Sequence, residues 1–303
     1  ASTKVQWPYH TDDKVIGAVG NGKGIVSIPG VDLVASGGYS HAEGFKDTAT
    51  GLASWAIGSG VRTDGWYSFG MGLNNKSTGN NSVVFGNNNT ALSADATITG
   101  LNNSITALSP NSAIIGGSDS RIGTMYSGII GGYKSDIQGA GVIGAGYNFI
   151  AGGLYDTISG NSNAIIAGRY NRAEGQDNLV TGNSNKIVSS TSKSNIVGGD
   201  ENYINNGLDN LIIGSKDTII GGANNNIVSG GKNVLSGIYA QHNNVSGQLH
   251  RVFGSSSVIS GYNNQFGTVM SPPYVATNSI VIGADNVVNT WNNNNNTSVS
   301  TGT

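Results

Sequence analysis

Short β-branched packets recur along this chain at near-regular intervals. They include Ile114-Ile115, Ile129-Ile130, Ile165-Ile166, Ile196-Val197, Ile212-Ile213, Ile219-Ile220 and Val281-Ile282. Each packet has the length and residue type of a buried strand rather than a helix. The strongest unit is a small polar residue, two or three apolar residues, then Gly. It reads Ser54-Trp55-Ala56-Ile57-Gly58, Tyr67-Ser68-Phe69-Gly70, Ser82-Val83-Val84-Phe85-Gly86, Ser112-Ala113-Ile114-Ile115-Gly116, Ser127-Gly128-Ile129-Ile130-Gly131 and Gly141-Val142-Ile143-Gly144. From Gly44 to Gly144 the closing glycines are 12 to 16 residues apart. A weaker unit lies between the strong ones: Asn or Asp, a spacer, then a β-branched residue. Asn103-Ser104-Ile105, Asp156-Thr157-Ile158 and Asp217-Thr218-Ile219 are copies.

Together the two units predict an all-β solenoid with coils of about 15 residues, two short strands and two tight turns each. Gly, with Asn next, suits corners that require positive φ. Coils stacked at about 4.8 Å would put about sixteen of them in a rod of roughly 75 Å. Stacked Asn would form ladders, and stacked Ile and Val a dry interior. So thin a coil encloses little core. Oligomerisation is a usual remedy, and a parallel homotrimer about one axis would supply it.

Composition sharpens this picture. The chain has 303 residues, with 48 Gly, 39 Asn and only 11% charged residues. Breakers interrupt every stretch long enough for a helix, so almost no helix is expected. The net charge of −2 and the scattered Lys and Arg argue against nucleic acid as a partner. No apolar run approaches the ~20 residues of a membrane-spanning helix. Cysteine is absent, which excludes disulfides and thiolate metal sites.

The segment Ser36-Gly37-Gly38-Tyr39-Ser40-His41-Ala42-Glu43-Gly44, followed by Thr48-Ala49-Thr50-Gly51 and Ser54-Trp55-Ala56-Ile57-Gly58, resembles the head repeats of trimeric autotransporter adhesins, the YadA-like head. Similar repeats occur in bacteriophage tail fibres and other virion proteins. The best match covers about residues 36–86; the period continues, with drifting sequence, to about 288. The resemblance implies a left-handed parallel β-roll and an intertwined or side-by-side homotrimer. It also implies a structural, adhesive role outside a cell. No heptad stalk or membrane-anchor barrel is visible in this sequence, and it starts Ala1-Ser2-Thr3-Lys4. The expectation is therefore a phage fibre, spike or decoration protein on the virion surface. The alternative is the head of a bacterial surface adhesin, and after it a polysaccharide-degrading tailspike.

Residues 1–35 depart from the repeat and read as a cap or docking segment for other virion proteins. They include a hairpin from Lys14-Val15-Ile16-Gly17 to Ile25-Val26-Ser27-Ile28, with Asn21-Gly22 at its turn. Residues 36–288 form the repeat domain. Met270-Ser271-Pro272-Pro273-Tyr274 interrupts it as a protruding loop, and residues 289–303 form a low-complexity flexible tail.

No catalytic constellation stands out, and the chain is read as a non-enzyme without cofactor or metal. His41 and Glu43 share one strand face, but the motif Ser40-His41-Ala42-Glu43-Gly44 reads as part of the structural repeat. The carboxylates that a glycosidase would need in a pair are Asp119, Asp136, Asp156, Glu174, Asp177, Asp200, Glu201 and Asp217. Most are read as occupants of the Asn/Asp slot of the weaker unit, as turn residues. Calcium-binding nonapeptides are absent as a series, and Thr lacks the spacing of an ice-binding ladder. Wide aromatics in so narrow a coil are the better binding clue. Trp55, Trp66, Tyr67, Tyr126, Tyr133, Tyr147, Tyr155 and Tyr170 must pack between chains or face outward, where they could meet a host glycan or protein.

Overall fold

The computed structural model describes residues 18–21, 32–138, 146–188, 193–237, 240–266, 280–288 and 298–301. Among them every regular element is a β-strand. The chain winds as a parallel β-solenoid of about 15 turns, so at ~4.8 Å per turn the stack is roughly 70 Å long. One ladder holds 18 strands and the other, facing it, is a linear stack from Val34–Ala35 to Val287–Val288. We call these the first and second sheets.

Register shows how the repeat works. In the first sheet Ala42 pairs with Ala56, Ala56 with Gly70 and Gly70 with Val84. In the second, Ala35 pairs with Ala49, Ala49 with Thr63 and Thr63 with Ser77. Because side chains alternate along a strand, each strand sends one residue inward, flanked by outward neighbours. From Val84 onward the inward residues are mostly Ile and Val, and they form one continuous buried cluster to Val288. A separate cluster of Leu33, Ala35, Ala42, Ala49, Ala56 and Val61 lies towards the other end.

The double-apolar packets are therefore split between two environments. Ile114 is fully buried, whereas Ile115 beside it is 49% exposed on the outside of the first sheet. The expectation that each packet is a buried strand holds for one residue of a pair only, as at Ile114-Ile115, Ile129-Ile130 and Val281-Ile282.

The corners also differ from the expected glycine turns. Non-glycine residues in the left-handed region occupy most of them, including Tyr39, Ala53, Tyr67 and Asn81 at one edge and Lys46, Asn74, Asn88 and Asn102 at the other. Several of the glycines closing the strong units serve another purpose, at Gly44, Gly58 and Gly86. At Gly58 φ is +138°, and a Cβ there would stand 2.0 Å from the Gly72 carbonyl oxygen of the next coil. Glycine is needed because successive backbones touch. Gly70 is not in that row; it lies in the core between Ala56 and Val84, and Gly72 takes the closing position.

Both ends of the described chain add strands to the first sheet. Ala18–Asn21 pairs antiparallel with Gly38–Phe45 and covers the first strand of the first sheet. The remainder of the proposed hairpin, with Gly22 of its turn, lies outside the described residues, as does the Met270–Tyr274 loop. Inward packing already starts at Leu33, before residue 36. At the other end Ser298–Thr301 pairs with Ile280–Gly283. Part of the segment expected to be a flexible tail thus extends the first sheet, as its alternating Ser-Val-Ser-Thr sequence allows.

Candidate functional surfaces

Three features can bear function: a buried polar ladder, two outer faces of opposite character, and exposed tyrosines at the edges.

The polar ladder runs beside the inward residues of the second sheet. Asn75 Nδ2 donates to the Met71 carbonyl at 2.6 Å and to the Gly86 carbonyl at 2.7 Å. Its Oδ1 accepts the Asn89 N–H at 2.9 Å. Asn89 repeats the pattern with Phe85, Gly100 and the Asn103 N–H. Each such amide meets the polar groups exposed where the coil turns, which burial would otherwise leave unpaired. His250 fills one rung as a neutral ring: Nε2 pairs with the Ser246 carbonyl at 3.0 Å, and Nδ1 accepts the Asn264 N–H at 3.2 Å. Burial lowers its pKa below 6.5.

Asp47, Asp156 and Asp217 occupy three other rungs. Their Oδ1 atoms accept the N–H groups of Val61, Asn171 and Asn233. Their Oδ2 atoms are buried and unpartnered, where Asn would present its donors. A Cβ on Gly153 would stand 2.2 Å from Asp156 Oδ2 and 2.8 Å from the Gly168 carbonyl oxygen, and Gly44 and Gly214 stand in the same relation to the other two. An ionised carboxylate in that setting is desolvated and faces a carbonyl; a protonated one has an O–H to donate. Burial accordingly raises the pKa of Asp47 and of Asp156 to about 6, and raises that of Asp217.

The other carboxylates considered for catalysis stand apart from the ladder. Asp119, Asp177 and Glu201 are left-handed corner residues. Asp119 accepts from Asn102 and Asp200 from Asn183. Glu174 pairs with Arg172 and Glu201 with Lys216 on the outside. Asp136 lies on the outer side of the second sheet and accepts from Gln138; Ser135, one residue earlier, holds the inward slot. No cluster of three His, Asp or Glu side chains placed to hold a metal occurs among the described residues. A shallow groove lined by Thr106, Leu108, Arg121, Gly123 and Gln138 carries one charged side chain, Arg121.

The motif near residue 40 has a structural explanation. Ser40 is buried and its Oγ donates to the Gly37 carbonyl at 2.8 Å. Ala42 points inward, and Gly44 sits at a close approach between coils. His41 and Glu43 face outward with Nε2 and Oε2 3.2 Å apart, and the His41 ring lies 5.0 Å from Trp55. Gly86 repeats the role of Gly44, whereas Gly116 and Gly131 are left-handed corner residues. Gly144 lies outside the described residues.

The two outer faces differ sharply. That of the second sheet is mostly polar, with Thr48, Arg62, Lys76, Thr90, Arg121 and Arg172, although Val34, Ile220, Val234 and the exposed Val287 also lie on it. That of the first carries Trp55, Met71, Phe85, Ile115, Ile130, Phe149, Ile166, Ile213, Ile227, Val258, Ile280 and Ile282, all substantially exposed. Thr97 and Thr99 in one coil and Asn244 and Ser246 in another interrupt the strip; single exposed apolar residues are ordinary, but an apolar strip recurring along most of a rod is not.

Tyr39, Tyr67, Tyr126, Tyr147, Tyr155 and Tyr170 all have left-handed φ between 51° and 61°. That conformation disfavours bulky residues. Tyr126 stacks on Tyr147 and Tyr155 on Tyr170, each pair with centroids 5.1 Å apart. Tyr133 meets Tyr155 edge to face, with Lys134 over both rings. Trp66 is exposed beside Tyr67. The sequence had flagged these aromatics by size alone; the positive φ was not visible in it.

No protein-family model matches the chain, and no curated protein matches it. No helix of the described residues is long and apolar enough to cross a membrane.

Proposed function

We propose that this chain is the repeat rod of a homotrimeric structural protein that projects from a virion: a bacteriophage fibre, spike or decoration protein. The observation that carries this reading is the apolar outer face of the first sheet, opposed to the polar outer face of the second. A surface apolar along most of its length is matched by parallel copies of itself, coil against coil, with the second sheets left in water. A closed ring of three copies satisfies every such face about one axis. The left-handed winding and the number three come from the resemblance to adhesin-head repeats around Ser40–Gly44. Residues 1–35 would dock the rod to other virion proteins.

A second reading, the head of a bacterial surface adhesin, draws on the exposed tyrosines. Their backbone conformation costs stability, which a contact with a host protein or glycan would explain. The separated carboxylates give a tailspike glycosidase less support.

Light scattering of the purified chain is expected to give about three times 30.9 kDa. Antibodies raised against the chain should decorate phage particles by electron microscopy. A single-chain mass would overturn the assembled rod. Labelling of bacterial envelopes instead of particles would replace the phage reading by the adhesin.

A further inference from the structure

We infer that the coils between residues 33 and 77 take their apolar core from neighbouring copies of this chain, whereas the coils from residue 84 onward enclose their own. This rests on the self-associating rod proposed above and says which part of it depends on association.

Inside the early coils there is little to bury. The inward residues are four alanines, Ala35, Ala42, Ala49 and Ala56, with Leu33 and Val61 the only larger apolar side chains among them, and then Thr63, Gly70 and Ser77. The last three divide the buried apolar cluster that ends at Val61 from the one that begins at Val84. Thr63 Oγ1 is buried without a partner, and Ser77 Oγ spends itself on Ser82 Oγ at 2.6 Å. Four alanines, one leucine and one valine spread over several coils cannot alone repay the ordering of those coils. Nor can the interior grow: a Cβ on Gly70 would stand 2.7 Å from Val61 Cγ1 and 3.0 Å from Thr63 Cγ2.

The bulk lies outside instead. Phe45, Trp55, Phe69, Met71, Leu73 and Phe85 occupy the outer face of the first sheet in or next to the same coils, and Trp55 is 47% exposed. Phe69 and Phe85 already pack with centroids 5.3 Å apart across successive coils. After Val84 the balance reverses, with Ile at most inward positions.

The occupant of that face is a second copy. The strip is as long as the rod, and its strands run from two residues at Leu179–Val180 to eight at Gly38–Phe45, about five on average. At ~4.8 Å per coil and ~3.3 Å per residue it covers about 1,100 Å², above the ~800 Å² per partner of a stable interface. It continues past the early coils to Ile282, so a partner chain with the same coil spacing matches it along its length.

The test is amide hydrogen exchange on the full chain, read by peptide mass, with solution mass measured in parallel. Samples are the wild type at high and low concentration and the variants Phe69→Gln and Ile213→Gln. In the assembled protein both regions should be protected. On dissociation, by dilution or by Phe69→Gln, amides of residues 34–77 should lose about 100-fold or more of their protection while those of 98–259 keep theirs. Ile213→Gln should weaken assembly with the same division of exchange. If dissociated chains keep residues 34–77 protected, or lose protection uniformly, the division falls and the assembled rod survives. A wild type of single-chain mass with all coils protected overturns both. A single-chain mass with residues 34–77 exposed overturns the second copy as occupant in favour of a different partner. A Phe69→Gln protein that stays assembled and fully protected also overturns the proposal.

Discussion

Replacing Asp156 by Asn should stabilise the rod at neutral pH and do little in acid. In the folded chain Asp156 holds its proton up to about pH 6, against an ordinary value of 3.8. Between those values the folded chain binds more protons than the unfolded one. Stability therefore falls as pH rises through this window, by about 1.4 kcal/mol per pH unit, and is flat above about 6. The accumulated loss is roughly 3 kcal/mol for this one carboxyl. Asn ends the loss because its Nδ2 can donate to the Gly168 carbonyl, as Asn171 Nδ2 does to the Gly182 carbonyl at 2.6 Å.

Urea unfolding of the wild type and of Asp156→Asn at pH 3.5, 5, 6 and 7.5, at one protein concentration, reads this directly. The variant should match the wild type within about 1 kcal/mol at pH 3.5 and exceed it by roughly 3 kcal/mol at pH 7.5. Because long repeat arrays need not unfold in one step, local exchange of amides around residues 157–172 provides a second readout. Asp209→Asn, at an exposed left-handed corner, is the control and should change stability by less than about 0.5 kcal/mol. A gain at Asp156 that is the same at pH 3.5 as at pH 7.5 would refute the protonated-acid argument, as would a loss at pH 7.5. Asp47→Asn and Asp217→Asn should act in the same direction, and the three should add because they share no partners.

Four further substitutions probe the ladder, the close coil approach and the left-handed corners. His250 is neutral in the ladder with a lowered pKa, so its contribution is intact above 6.5 and lost as pH falls below that value; His250→Asn should remove this acid-side loss in the same urea series, and an unchanged acid limb would count against it. Gly86→Ala places a Cβ 2.1 Å from the Gly100 carbonyl oxygen, whereas Gly116→Ala meets nothing within 4 Å and is strained only by its φ of +71°; the first should cost more than about 3 kcal/mol and the second about 1, and equal costs would mean that close coil approach does not dictate glycine. Tyr67→Asn relaxes a left-handed corner whose equivalent in the next coil is Asn81; stability should rise by about 0.5–1 kcal/mol in thermal melts, and a fall would show that packing holds the ring in place.

The two-strand coil was legible because its signal is redundant. Every coil repeats a small residue, an apolar residue and a glycine, and no single substitution hides the period. The identity of the buried residues was less legible, because coil length varies: Asn89 and Asn75 are 14 residues apart, whereas Asn286 and Asn264 are 22. In a strand, a shift of one residue exchanges inside for outside. Asp136 and Asp156 look alike in sequence, yet Ser135 takes the inward slot in one coil and Asp156 itself takes it in the other. Only the register separates an outward, half-buried carboxylate from a fully buried acid. The same ambiguity conceals the outer face. Ile114-Ile115 and Ile129-Ile130 read as core, but half of that apolar content faces outward. Hydrophobicity counts overestimate the interior of a thin solenoid for this reason: a strand of alternating direction with apolar residues on both sides is the mark of a sheet covered on both faces. This chain supplies the cover for one face only. What lies against the other determines what the rod is for, and Phe69 and Ile213 are the positions at which to ask.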